Sequence, residues 1–218
     1  MRRPPVPAAP RVSPPDLPPH LQEAVPPRRG SESFQQRWTE LADQTDAAHA
    51  ALTECAILGA SVDRLDLTGA TLVDVDVRDL RATTFTARGA RLRRVLITGG
   101  RIGTLDLADA DVDELELRGV RVAYLSLAAS RVSDLFVAGC TIGTLDLPQS
   151  SVSRASFIDS RADDVDTRGV RAQDLDLRGL EALSFLDPAS LRGVILSARQ
   201  VQELAPALAA ALGIRVVD

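Results

Sequence analysis

From Leu52 to Leu177 an apolar or small residue returns at every fifth position, and no other feature of the chain constrains its fold as much. The second position of each block of five runs Ile57, Val62, Leu67, Leu72, Val77, Ala82, Ala87, Leu92, Ile97, Ile102, Leu107, Val112, Leu117, Val122, Leu127, Val132, Val137, Ile142, Leu147, Val152 and Phe157, and the fifth position is apolar or small as well. An α-helix repeats about every 3.6 residues and a flat strand every second residue, so neither sustains this period. A wound ladder of short β segments does. Its interior must be aliphatic, because the chain holds one Trp, one Tyr and five Phe in 218 residues.

A second period lies inside the first. Gly59, Gly69, Gly89, Gly99, Gly119, Gly139, Gly169 and Gly179 all take the fourth position of alternate blocks. The first position alternates between an acidic class (Asp66, Asp76, Asp106, Glu116, Asp146) and a basic one (Arg81, Arg91, Arg101, Arg121, Arg131). Fifth positions alternate in size, with Leu65, Phe85, Leu105 and Leu125 set against Ala60, Ala70, Ala90 and Ala110. The working unit is therefore ten residues, with large side chains facing small ones to fill a layer and glycine where the wall turns.

The registers Leu65-Asp66-Leu67, Leu105-Asp106-Leu107, Leu145-Asp146-Leu147 and Leu175-Asp176-Leu177 resemble the pentapeptide-repeat family over about residues 45–180. That resemblance implies an all-β solenoid, a right-handed quadrilateral β-helix with four pentapeptides per coil. About eight coils at ~4.8 Å each make a rod of about 38 Å. The chain departs from the family in often placing Leu or Val at the fifth position, where Ala is usual, and in lacking a Phe ladder. A leucine-rich repeat is disfavoured, since its unit of about 20–29 residues and its Asn ladder are absent.

Four segments follow. Residues 1–30 hold ten of the thirteen prolines and are expected to be a disordered or extended, solvated tail of charge about +3, with Leu17, Leu21 and Val25 as anchors if it docks. Residues 31–50 form an N-terminal transition or cap, in which the spacing of Phe34, Trp38 and Leu41 suggests one or two helical turns and Trp38 covers the open end of the core. Residues 51–195 are the β-helix. Residues 196–218 are a helical segment opened by a Ser197-to-Gln200 capping box, with Pro206 expected to kink or split it. Its stripe Val201, Leu204, Leu208 and Leu212 either caps the last coil or dimerises against a second copy.

The function classes narrow by exclusion. With two histidines, no nucleophile elbow and no glycine-rich phosphate loop, the chain offers no constellation for an enzyme, a metal or a cofactor. Cys55 and Cys140 fall about four coils, roughly 20 Å, apart and read as two buried free thiols. A net charge of −5 argues against direct nucleic-acid binding. No apolar run is long enough to span a membrane and no signal peptide is recognised, so a cytoplasmic location is the default.

What remains is surface. The acidic cluster Asp106, Asp109, Asp111, Asp113, Glu114 and Glu116, and an outward apolar strip of Leu96 and Phe136, are the candidate interaction surfaces. The first reading is a scaffold that binds a protein partner through one wall of the rod. The alternative, implied by the family resemblance, is a DNA mimic that binds DNA gyrase or another type II topoisomerase and modulates it or confers quinolone protection. Residues 40–195 carry 25 acids and 17 Arg, a net of −8. Duplex DNA of about 38 Å carries about 22 charges, at one per ~1.7 Å. The rod is far less charged than what it would imitate.

Overall fold

The computed structural model describes residues 7–216. They wind as a parallel β-solenoid of about eight coils with one C-terminal helix. Every paired strand runs parallel to its neighbour, and residue i faces residue i+20, as in Leu72 with Leu92, Leu92 with Val112, and Val112 with Val132. Long strands (Ala51–Leu58, Thr71–Arg78, Arg91–Thr98, Asp111–Arg118, Arg131–Ala138 and Ser151–Ile158) belong to an 11-stranded sheet. Shorter ones (Ser61–Asp66, Arg81–Thr86, Arg101–Asp106, Arg121–Ser126, Thr141–Asp146 and Ser160–Asp166) belong to an 8-stranded sheet.

One coil shows why the five-residue period works. Between residues 71 and 90 the buried apolar positions are Leu72, Val75, Val77, Leu80, Ala82, Phe85, Ala87 and Ala90. That is two per block of five, one pair for each of four walls. Burying each large side chain stabilises by roughly 1.5–3 kcal/mol, so the repeated layers rather than any single contact hold the rod. Cys55 and Cys140 are buried and free, and burial pushes both thiols up from their ordinary value.

Three of the four corners turn through a left-handed residue. At two of them glycine is frequent, as at Gly59, Gly99, Gly119 and Gly139 on one and Gly69, Gly89 and Gly169 on the other. At the third there is none. Glu54, Asp74, Arg94, Glu114, Asp134, Arg154 and Asp174 all sit there at φ between 51° and 60°. A non-glycine residue in this region is uncommon and costs about 1–3 kcal/mol, so a whole column of them is a feature to explain.

Both ends differ from the sequence reading in detail. Residues 31–50 contain no helical turn. Glu32–Phe34, Gln36–Trp38 and Gln44–Asp46 are strands that pair with the first long and short strands. The edge of Ala51–Leu58 would otherwise present unpaired backbone groups, and strand pairing satisfies them where a helix would not. Trp38 is fully buried, and its indole N–H donates to Val25 O at 2.8 Å.

At the other end α1 (Ala198–Ala211) is one continuous helix through Pro206. Pro206 and Gln202 are both exposed, so water can take the carbonyl that proline leaves without a donor. Ser197 and Gln200 close the capping box. The Gln200 amide also donates to Leu177 O at 2.7 Å and Leu180 O at 2.9 Å, which seals the edge of the last turns. Leu204 packs on the core and Leu208 is half-buried. Val201 and Leu212 stay 45% and 74% exposed, so the cap uses only half of the stripe.

Candidate interaction surfaces

Four of the acids at first positions are neutralised by an arginine two residues further on, and Asp66 by Arg64 two residues before it. Arg78 pairs with Asp76 at 2.5 Å, Arg118 with Glu116, Arg168 with Asp166 at 2.5 Å and Arg178 with Asp176 at 2.6 Å. Arg78 and Arg118 lie two residues along the same strand and point to the same face as their acids, while Arg168 and Arg178 lie in the turn just past the strand end, where their backbone N–H also donates to the Asp carboxylate. The dense acidic cluster is absorbed in the same way. Arg88 holds both Asp106 and Asp109, at 3.1 and 2.8 Å, and Arg131 reaches Asp111 at 3.9 Å. Glu114 accepts a backbone N–H from Ser13 at 3.1 Å. Of the six acids, Asp113 alone makes no ion pair or hydrogen bond among the described residues.

Leu96 and Phe136 stand in one column with Asp76 and Glu116. Both are half-buried, and the Arg118 guanidinium lies 5.2 Å from the centre of the Phe136 ring. The anticipated outward apolar strip is thus partly shielded. The N-terminal tail runs along the neighbouring corner.

Residues 7–20 of the tail are hydrogen-bonded to the rod through three backbone amides, and Gln22–Glu23 then pairs as a short strand with Gln36–Arg37. Arg11 N donates to Asp134 Oδ1 at 2.8 Å, Ser13 N to Glu114 Oε2 at 3.1 Å and Asp16 N to Asp74 Oδ1 at 2.9 Å. The acceptors belong to the glycine-free left-handed column. Its arginines hold the acids in place. Arg94 forks Asp74 with two bonds of 2.6 Å, and Arg154 forks Asp134 with two of 2.7 Å. The two devices are sixty residues, or three coils, apart. Val12, Pro15, Pro18 and Leu21 are half-buried, a period of three that matches the three residues per turn of polyproline II. Leu17 is half-buried too, while Val25 is exposed.

The Arg94 guanidinium beside Asp74 holds that carboxyl below the usual range; burial opposes the shift and the Asp16 amide reinforces it. Asp134 is lowered in the same way, first by Arg154 and then by the Arg11 amide. A depressed carboxylate contributes its stabilisation fully above the unfolded value of about 3.9 and loses it as pH falls through the folded one. Tail docking is therefore expected to hold from neutral pH to about pH 4 and to fail below that. Hydrogen exchange of the Arg11, Ser13 and Asp16 amides across that range checks this, and release already near neutral pH would contradict it.

The short-strand sheet shows the reverse charge pattern. Arg81, Arg101 and Arg121 face one another directly across neighbouring strands. All three are exposed. None makes an ion pair among the described residues, although Asp79 and Asp163 line the same groove. Beside them runs a shallow groove lined by Thr83, Gly103, Ala123 and Gly143. Among the described residues no three His, Cys, Asp or Glu side chains gather as a metal site, and no helix is long and apolar enough to cross a membrane.

The arginine column, the alternation of acids and the glycine-free corner all recur in the sequence at twenty-residue spacing, whereas the lack of a partner for Arg81, Arg101 and Arg121 does not show there. The glycine-free corner falls at the fourth position of blocks that alternate with the glycine-bearing ones, and its signal is that absence of glycine.

No family model matches the chain, and no curated protein does either. Among solved structures it is similar to two trypsin-treated variants of QnrB1, described as a plasmid-mediated fluoroquinolone resistance protein. The first is 15% identical, with 86% of this chain and 98% of that one covered and a TM-score of 0.36. The second is 16% identical, with 91% and 97% covered and a TM-score of 0.29. Neither similarity carries a residue or an activity over to this chain.

Proposed function

We propose that this protein is a non-catalytic interaction rod that binds an acidic protein surface through the wall carrying Arg81, Arg101 and Arg121. The observation that supports this reading is the unpaired arginine column. Like charges placed directly opposite in a sheet are destabilising. At Asp66, Asp76, Glu116, Asp166 and Asp176 the same rod neutralises a first-position charge with an arginine two residues away, yet it leaves these three arginines open side by side along a groove. An anionic partner would relieve the repulsion and supply the missing counter-charge. α1 serves as the seal of the last coil, and its exposed Val201 and Leu212 are the surface a second copy would use in a homodimer.

The DNA-mimic alternative draws less support from the charge pattern, since five of its six candidate acids already hold a partner. Capture of a partner with the purified full chain is expected to be lost when Arg81, Arg101 and Arg121 are all changed to Glu. It should survive Asp106→Ala and Phe136→Asp. Loss on Asp106→Ala, together with inhibition of gyrase supercoiling by the wild-type protein, would overturn the arginine-wall reading in favour of the mimic.

A further inference from the structure

We propose that the glycine-free corner of the long-strand sheet is a docking groove for a proline-rich strand of another protein, and that the N-terminal tail is its exchangeable resident. This is a different face from the arginine column and stands independently of it.

The geometry is one of matched repeats. A polyproline II strand rises about 3.1 Å per residue and the coils stack at about 4.8 Å, so about 1.5 residues pass each coil. The five residues from Arg11 to Asp16 span about 15.5 Å at that rise, against about 14.4 Å for the three coils between Asp134 and Asp74. Ser13 falls on Glu114, one coil from Asp134, as this ratio requires. The tail runs antiparallel to the progression of the coils. Val12, Pro15, Pro18 and Leu21 are half-buried at every third position, on one face of such a strand, with Leu17 half-buried beside Pro18.

The manner of recognition identifies the partner. Every hydrogen bond that residues 7–20 make to the rod comes from a backbone N–H, and none from a side chain. The groove therefore asks for an extended proline-rich backbone with amide donors at positions i, i+2 and i+5, and not for this tail's particular residues. Carboxylate acceptors held by Arg94 and Arg154 are pre-positioned, and a polyproline II strand loses little entropy on binding. The column keeps these acceptors in place even at the conformational cost of seven left-handed non-glycine residues.

The test uses the full chain with a protease site inserted between Pro19 and His20, both exposed. A dye is attached through Ala9→Cys, Cys55 and Cys140 being buried. After cleavage the labelled segment should remain bound at high concentration and leave on dilution, read as anisotropy, while circular dichroism reports an intact rod. An unrelated proline-rich peptide that keeps only the donor spacing should displace it. A Gly/Ser peptide of equal length and charge should not. Asp74→Ala with Asp134→Ala should weaken retention at least about tenfold, the loss expected for charged hydrogen bonds. Immediate dissociation at every concentration overturns the proposal, as does equal displacement by the Gly/Ser peptide. If uncut copies instead trade tails and light scattering shows dimers, the occupant is a second copy and the proposal falls.

Discussion

Gly100→Ala is expected to destabilise the rod by about 2–6 kcal/mol, combining a left-handed backbone cost with an overpacking cost. Gly100 sits at φ 78°, and a Cβ there would meet the Leu80 carbonyl oxygen and come within 2.7 Å of the Leu80 nitrogen. Both atoms are backbone of the preceding coil, so neither can rotate away. The natural control is Gly119→Ala. Gly119 is also left-handed, at φ 62°, but its missing Cβ would point into open space, and Asp79 and Asp159 already adopt this conformation in the same column. It should lose only about 1–2 kcal/mol. Urea unfolding of both variants reads the difference. Equal losses would mean that the approach to Leu80 is not the cause.

Trp38→Ala should cost about 3–5 kcal/mol, the range for deleting a buried aromatic side chain. Trp38 faces Ile57 across the first strand pair and is fully buried. Removing it opens the N-terminal end of the core to water and frees Val25 O of its donor. In a solenoid each coil leans only on its neighbours, so the damage should be graded. Exchange protection ought to collapse over residues 32–58 and persist around residues 120–145. Uniform loss along the rod would show that the first coil is not an independent cap.

Much of the architecture was legible in advance because it is periodic. Leu72, Val77, Ala82 and Ala87 mark one inward position on each wall, and a chain that repeats this every five residues has few ways to bury them. The two ends were less legible. Phe34, Trp38 and Leu41 have helical spacing, yet Phe34 is 60% exposed, because the unpaired edge of Ala51–Leu58 recruits this segment as strand. Pro206 suggested a broken helix, but its surroundings are solvent, where a lost hydrogen bond is cheap.

The candidate surfaces were legible only as composition. The cluster from Asp106 to Glu116 reads as a strongly acidic patch in sequence. Folding sets Arg88, Arg118 and Arg131 against it and leaves Arg81, Arg101 and Arg121 alone on another wall. The docked tail left still less trace, since its three bonds are backbone amides reaching acceptors 58 to 123 residues away, and every non-proline residue has such an amide.

The five-residue ladder by itself determined a wound β rod with an aliphatic interior, because inward burial is a local demand repeated in every block, and the family resemblance added its four walls. Which charges are spent and which are open, and where the proline-rich tail lies, were decided only by the tertiary structure. Those depend on side chains brought together two residues apart at a corner or twenty residues apart across coils. Coulomb attraction and hydrogen bonding act over a few ångströms, and only the folded rod sets those distances.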